Sequence, residues 1–218
     1  MKTRFHVALL AALLLAGIAA GAAEPVAGTD YQPVDPPVAT SDPSKIVVTE
    51  FFSYQCPHCY KFDKPFAAWS ADLAADVKVE RAAVSIGHAN WQPATIAFYA
   101  LAALQKVPGI DDAFFKAIHR ERNPLADEAA MADWVATQGV DRAKFLEAYR
   151  SFGVGVKVKR ADSLSREVRL PSVPTLVIDG RYLIPIADDG DFKDQLAIAN
   201  ALIERVRRER AAVRKSSP

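Results

Sequence analysis

The chain has 218 residues, a hydrophobic share of 50% and a formal net charge of +1. This length suits one domain with a sizeable core, or one domain that carries an insertion. The small net charge gives no electrostatic reason to expect nucleic acid or an anionic surface as a partner. We therefore expect a globular protein that binds no nucleic acid.

The first 23 residues have the pattern of a cleaved signal peptide. Lys2 and Arg4 precede an apolar run over residues 7–20, and the small residues at 20–23 offer a cleavage site. The run is shorter than the roughly 20 residues of a membrane-spanning helix. The pattern predicts export, with an uncleaved membrane anchor as the alternative.

Residues 24–44 contain five prolines, which predict an extended linker without regular structure. Residues 46–52 then have the β-branched and aromatic composition of a buried strand. A helix is predicted to run from the cysteines through Trp69, and Pro65 is expected to kink or break it. A second strand over residues 77–84 completes a strand-helix-strand unit, for which we expect parallel pairing.

A block of helical patterns with little strand signal fills the middle of the chain. The predicted helices begin near Pro93, Asp111, Asp127, Asp141 and Val156, with aspartates as caps and proline in a first turn. Strand signal returns at 175–178 and 181–184, joined by an Asp-Gly turn typical of a hairpin. A final helix is predicted from about Phe192 into a basic tail.

The two cysteines of the chain lie in the motif Cys56-Pro57-His58-Cys59, directly after the first strand. Cys56 is predicted at a helix N-terminus, where free N–H groups and the helix dipole stabilise a thiolate. Cys59 lies about one turn further on, so the two sulfurs can form a disulfide. Pro57 suits a first turn, which needs no N–H. His58 adds a donor and, when protonated, a positive charge near Cys56.

Other uses of two cysteines are weaker interpretations. A zinc site needs about four ligands, and the histidines are too scattered to supply the rest. A structural disulfide between positions 56 and 59 closes almost no loop and stabilises little. A copper metallochaperone remains an alternative, although no methionine or histidine cluster supports it. We predict redox chemistry without a metal or a cofactor.

Two further residues fit a redox site. Pro174 follows Val173 at the start of a predicted strand, where a cis bond is a candidate and an ordinary trans proline is the alternative. Glu50 lies in an apolar strand six residues before Cys56. If it is buried, its pKa is raised and it can exchange a proton with Cys59; if it lies at an edge, it faces water.

The segments at residues 50–60 and 173–182 resemble those of the DsbA family of periplasmic thiol:disulfide interchange proteins. The resemblance extends over about residues 45–205 and implies an α/β thioredoxin fold with an inserted α-helical domain. It also implies a location in the periplasm of a Gram-negative bacterium. The predicted division is a signal peptide (1–23), a Pro-rich linker (24–44), a thioredoxin-like domain (45–90 and 169–210), a helical insertion (91–168) and a basic tail (211–218).

The resemblance also implies roles for the site residues. Cys56 is the exposed sulfur that a substrate thiolate attacks, and Cys59 is the buried leaving and resolving sulfur. His58 stabilises the Cys56 thiolate, and Glu50 is the buried acid. The substrate backbone pairs with Val173 and cis-Pro174. Arg81 stands where many members have lysine, and Tyr54-Gln55 replaces an aromatic pair.

The implied activity is that of a protein dithiol oxidase, with reduced, unfolded secreted proteins as substrates. A membrane protein that passes electrons to quinone is the implied reoxidising partner. We expect a monomer. A disulfide isomerase or reductase is the alternative within the same class, although the linker is too short to be a separate dimerisation domain.

Overall fold

The structure, a computed structural model, describes residues 24–187 and 192–216. The predicted signal peptide lies outside these residues, as do the last two residues of the predicted basic tail. In the described ranges, no helix is both long enough and apolar enough to cross a membrane.

A mixed sheet forms the centre of the described chain. Its strands are β1 (Gln32–Pro33), β2 (Ile46–Phe52), β3 (Val77–Ala83), β4 (Thr175–Ile178) and β5 (Tyr182–Pro185), in the spatial order β1-β5-β4-β2-β3. The predicted parallel pairing of β2 with β3 is confirmed, and β2 pairs antiparallel with β4. β2 is therefore an interior strand, which explains its nearly continuous apolar sequence.

Helices cover both faces of the sheet. They are α1 (Pro57–Ala71), α2 (Gln92–Ala103), α3 (Val107–His119), α4 (Glu128–Thr137), α5 (Arg142–Arg150), α6 (Phe152–Glu167) and α7 (Lys193–Ser216), with a short 3₁₀ turn at Ala89–Trp91. Alternate β2 residues serve two cores, because successive side chains point to opposite faces. Phe51 joins the core of α2–α6, whereas Val48 packs with residues of α1 and α7.

The proline-rich segment is more ordered than predicted. This segment contains β1, which pairs with β5, and its residues Tyr31 and Val34 are buried. The prediction that proline would deny it regular structure is therefore wrong at Gln32 and Pro33. The reason is that an edge strand tolerates a residue without an N–H.

Three helix boundaries also differ from prediction. α1 continues through Pro65 to Ala71. α6 begins at Phe152, four residues early, because the Ser151 hydroxyl accepts the N–H of Val154 at 3.2 Å. α3 begins at Val107 with Pro108 in its first turn, so Asp111 is not a cap. The caps at Asp127 and Asp141 are confirmed.

The predicted hairpin turn is present between β4 and β5. Asp179 and Gly180 have φ values of 53° and 66°, as a two-residue turn with both central residues left-handed requires. A Cβ on Gly180 would overlap the carbonyl oxygen of Val38. The Val38 N–H also donates to the Gly180 carbonyl at 3.0 Å, so the turn and the N-terminal segment pack closely.

Gly180→Ala is expected to destabilise the protein by about 1–3 kcal/mol, because the new methyl group must displace backbone at a left-handed position. Gly155→Ala in α6 is the control, since a Cβ there meets no atom within 4 Å. Urea unfolding of both variants tests this, and equal midpoints would contradict the packing argument.

Candidate active site

The two cysteines lie at the N-terminus of α1. Cys56 is the cap residue, and its sulfur accepts the backbone N–H of Cys59 at 3.4 Å. Both are free thiols, with exposed fractions of 3% for Cys56 and 0% for Cys59. The expectation of an exposed Cys56 is therefore wrong. Its sulfur is covered because it turns toward the helix end and toward the Val173 carbonyl oxygen, 3.3 Å away.

The loop before β4 brings Val173 and Pro174 to the cysteines. The peptide bond between the two residues is cis, and both are buried. The Val173 carbonyl accepts the Cys56 thiol, although 117 positions separate the residues. Sheet pairing explains this approach, because β4 pairs with β2, the strand that leads to Cys56.

The environment separates the proton affinities of the two sulfurs. The pKa of Cys56 is lowered to about 6, and the largest cause is a hydrogen bond from the Cys59 thiol. Burial acts in the opposite direction. The backbone N–H groups of Cys59 and His58 and the charge of His58 lower the pKa further. Burial, followed by the interaction with Cys56, raises the pKa of Cys59 well above its usual value. Near neutral pH the site therefore favours a thiolate at Cys56 and a thiol at Cys59.

Glu50 is fully buried in β2. In the β2–β3 register it lies opposite Arg81, whose Nε donates to Glu50 Oε2 at 2.6 Å. Oε1 has no hydrogen-bond partner. Burial raises the pKa of Glu50 to about 7, outweighing the favourable charge of Arg81. Of the two alternatives from the sequence, the structure has the buried acid.

Arg81 contacts two further carboxylates. Its Nη2 lies 3.1 Å from Asp63 Oδ1 on α1, and its Nη1 pairs with Asp111 Oδ2 on α3. The guanidinium carbon lies 4.0 Å from the ring centre of Phe52. Burial opposes the charge of Arg81, but the carboxylates raise its pKa, so it remains a cation.

The loop before Cys56 is held by α3 and by the segment that follows it. The Tyr54 hydroxyl donates to Asp111 Oδ1, and His119 Nε2 lies 2.8 Å from the Tyr54 carbonyl oxygen. Gln55 Nε2 donates to the Pro124 carbonyl at 3.2 Å. These contacts fix the residues immediately before the reactive sulfur.

The sequence reasoning missed Asp63 and Asp111. Asp63 sits on a helix with mixed polar and apolar residues, where an acid is unremarkable. Asp111 was interpreted as a helix cap. The available signal was its position three residues before the apolar Phe114-Phe115 pair, but that signal does not identify a partner.

Comparisons with known proteins decide the family. The family model of the DSBA-like thioredoxin domain matches residues 47–197. The chain belongs to the DsbA-like thioredoxin family. The thiol:disulfide interchange protein DsbA of Pseudomonas aeruginosa is 37% identical over 215 residues, covering 99% of this chain and 100% of that protein. The DsbA of Bordetella parapertussis is 34% identical over 211 residues, covering 95% and 100%.

Solved DsbA structures share the architecture. The crystal structure of Pseudomonas aeruginosa DsbA superposes with a TM-score of 0.80 at 36% identity, covering 87% of this chain and 96% of that one. DsbA from Xylella fastidiosa superposes with a TM-score of 0.79 at 30% identity, covering 84% and 98%. The predicted thioredoxin fold with a helical insertion is confirmed, and this DsbA-like chain is a thiol:disulfide oxidoreductase of the dithiol oxidase type.

Absorbance of the thiolate near 240 nm tests the electrostatics of the cysteine pair. In the reduced DsbA-like protein, Cys56 is expected to titrate with a midpoint of about 6. Cys59→Ala removes the strongest stabilising contact and should move the midpoint upward, toward the ordinary thiol value of about 8.5. Cys56→Ser should abolish the low-pH transition. An unchanged midpoint in Cys59→Ala would show that the helix end alone sets it.

Stability as a function of pH tests the state of Glu50. Between its ordinary pKa of 4.5 and its folded pKa of about 7, the folded protein holds a proton that the unfolded chain releases. Raising the pH therefore destabilises the wild type, by on the order of 3 kcal/mol for this group. Glu50→Gln lacks this loss, so its stability relative to wild type should increase between pH 5 and pH 8. Parallel unfolding curves across that range would exclude a raised pKa.

Proposed function

We propose that the protein donates its Cys56–Cys59 disulfide to folding secreted proteins through a mixed disulfide at Cys56. The observation that carries this proposal is the opposite shift of the two thiol pKa values within one buried pair. A sulfur that is stable as a thiolate is the better leaving group when a substrate is oxidised. Reduction of the site is therefore favoured, which is the property of an oxidant.

The proposed reaction has two exchanges. A substrate thiolate attacks Cys56 in the disulfide, so that a substrate–Cys56 bond forms and Cys59 leaves. A second substrate thiolate attacks the substrate sulfur of this mixed disulfide, which forms the substrate disulfide and releases Cys56 as a thiolate. Cys59 can instead attack Cys56 and release an unproductive substrate, which is its resolving role.

Glu50 is the proposed proton carrier for Cys59. A buried thiolate is costly, and the charge of Glu50 contributes to the raised pKa of Cys59. A protonated Glu50 gives its proton to the departing Cys59 sulfur and becomes a carboxylate. His58 stabilises the Cys56 thiolate by its charge and its backbone N–H.

Val173 and Pro174 are the proposed contacts for the substrate backbone. The Val173 carbonyl already lies within hydrogen-bond distance of the Cys56 sulfur. Proline leaves no N–H to pair at the second position, so an extended substrate segment bonds to the Val173 side of this loop. This arrangement holds the attacking sulfur beside Cys56.

The export pattern and the family support the following proposal for the setting of the reaction. The protein acts in the periplasm after removal of residues 1–23, and a quinone-linked membrane protein reoxidises the cysteine pair. It works as a monomer. The thioredoxin-like domain comprises residues 45–90 and 169–210, the helical insertion comprises 91–168, and a linker and a basic tail flank them.

Variants of the two cysteines test the order of attack. Cys56→Ser should reduce the oxidation of a reduced, unfolded protein to the uncatalysed rate. Cys59→Ser, offered a disulfide-bonded protein, should accumulate a covalent complex that a reductant dissolves, because the Cys56 thiolate attacks the protein's disulfide and releases one of its sulfurs, and the resolving thiol is missing. Mass spectrometry of the trapped complex identifies the linked cysteine. Oxidation at the wild-type rate by either variant contradicts the mechanism.

Redox equilibrium with glutathione separates an oxidant from a reductase. We expect a midpoint well above the value of about −270 mV that is typical of thioredoxin, since the Cys56 thiolate stabilises the reduced form. Wild type and His58→Ser are compared, and the variant should be less oxidising. A midpoint at or below the thioredoxin value would favour the reductase alternative.

A further inference from the structure

One carboxylate of the inserted helices reaches the redox site. Asp111 lies on α3, and its two oxygens have different partners. Oδ1 accepts the hydroxyl of Tyr54, two residues before Cys56, and Oδ2 pairs with Nη1 of Arg81 on β3. The side chain is largely buried, with 16% exposed. Asp111 therefore links the helical segment to both the cysteine loop and the cation beside Glu50.

The guanidinium of Arg81 forms ion pairs with three acids, which lie on three different elements. Nε serves Glu50 of β2 at 2.6 Å, Nη2 serves Asp63 of α1 at 3.1 Å and Nη1 serves Asp111 of α3. The face of the guanidinium stacks on an aromatic ring of β2. One positive charge thus faces three groups that can each carry a negative charge.

Glu50 is the member for which ionisation is least favourable. It is the only one of the three with no exposed surface, and its Oε1 has no partner. The charged and titratable groups that act on it are Arg81, Asp63 and Asp111, with the Cys59 sulfur near it in the same site. Like charges close together in a buried site cannot all ionise, so the proton resides on the most buried acid.

We propose that Asp111 is a positioning residue of the redox site: by pairing with Arg81, it draws positive charge away from Glu50 and keeps Glu50 able to carry a proton. This inference rests on the proposed function of Glu50 as the proton carrier for Cys59. When Cys59 leaves Cys56 as a thiolate, Glu50 transfers its proton to that sulfur and becomes the carboxylate that Arg81 stabilises. No other reactant is needed for this step.

The Tyr54 hydroxyl orients the carboxylate of Asp111. Burial, together with the charge of Asp111, raises the pKa of Tyr54 well above its usual value, so its hydroxyl remains a donor. This donor occupies Oδ1 of Asp111 and leaves Oδ2 for Arg81. The two roles of Asp111 can therefore be separated by substitution: the hydroxyl contact is removed at Tyr54, and the charge is removed at Asp111.

The test measures Glu50 directly in the reduced full-length protein. Glutamate labelled with ¹³C at the side-chain carboxyl gives a signal whose pH dependence reports its pKa, and Glu50→Gln assigns that signal. Asp111→Asn should lower the Glu50 pKa by about one pH unit or more, since a nearby like charge is removed. Tyr54→Phe keeps the Asp111 charge and should leave the Glu50 pKa in place. Asp111→Glu, which keeps the charge, should also retain a raised pKa.

Asp112→Asn is the matched control. This neighbouring acid is about half exposed and pairs with Lys116 at 2.5 Å on the surface of α3. It changes the net charge by the same amount as Asp111→Asn and should not move the Glu50 signal. Equal Glu50 pKa values in the two asparagine variants overturn the proposal, even if Asp111→Asn lowers the melting temperature, because that result leaves Asp111 with a structural role only.

The wild-type titration and the rate of peptide oxidation complete the test. If Glu50 of the wild type titrates near its ordinary pKa of 4.5, the proposal is overturned without any variant, because Glu50 then holds no proton at neutral pH. The pH–rate profile for oxidation of a reduced peptide should shift in Asp111→Asn by the same amount as the Glu50 signal. Failure of wild type to oxidise the peptide counts against the proposed function, whereas the carboxyl titration is independent of turnover.

Discussion

A carboxylate in an interior strand is costly unless it is paired, and the pairing of Glu50 with Arg81 organises the surroundings of the cysteines. The parallel register of β2 and β3 sets the two residues side by side. The cation that this pair requires then attracts an acid from α1 and another from α3. The same ion cluster thus holds the cysteine helix and the inserted helices against one edge of the sheet.

The two sulfurs beside this ion cluster are both buried, but their pKa values are shifted in opposite directions. Cys56 receives hydrogen bonds at the helix end, whereas Cys59 lies deeper, with Glu50 acting on it. Proton affinity is therefore higher at Cys59, in the interior, than at Cys56, at the helix end. Once both exchanges are complete, the negative charge rests on Cys56 and the proton on Cys59, which stabilises the reduced form of the site.

Most of the fold follows from local patterns. The apolar run before the cysteines, the Asp-Gly turn and the caps at Asp127 and Asp141 each depend on neighbouring residues, so the sequence predicts them correctly. The start of α3 was missed although Pro108 is a local signal for a first turn. The continuity of α1 through Pro65 was also missed, and in the structure Phe62 and Phe66 are buried on either side of that proline. In the site, the cysteine motif is readable, but the burial of Cys56 and the contacts of Asp111 arise only when segments distant in sequence meet.

The covered position of Cys56 has a consequence for timing. With 3% of the residue exposed, its sulfur lies behind the Val173 loop and the helix end, and a rigid convex surface cannot approach it closely. A narrow, pliable chain can. On the proposed function, the shape of the site therefore favours a flexible incoming polypeptide, and we expect thiols to be joined before the substrate chain reaches its final conformation.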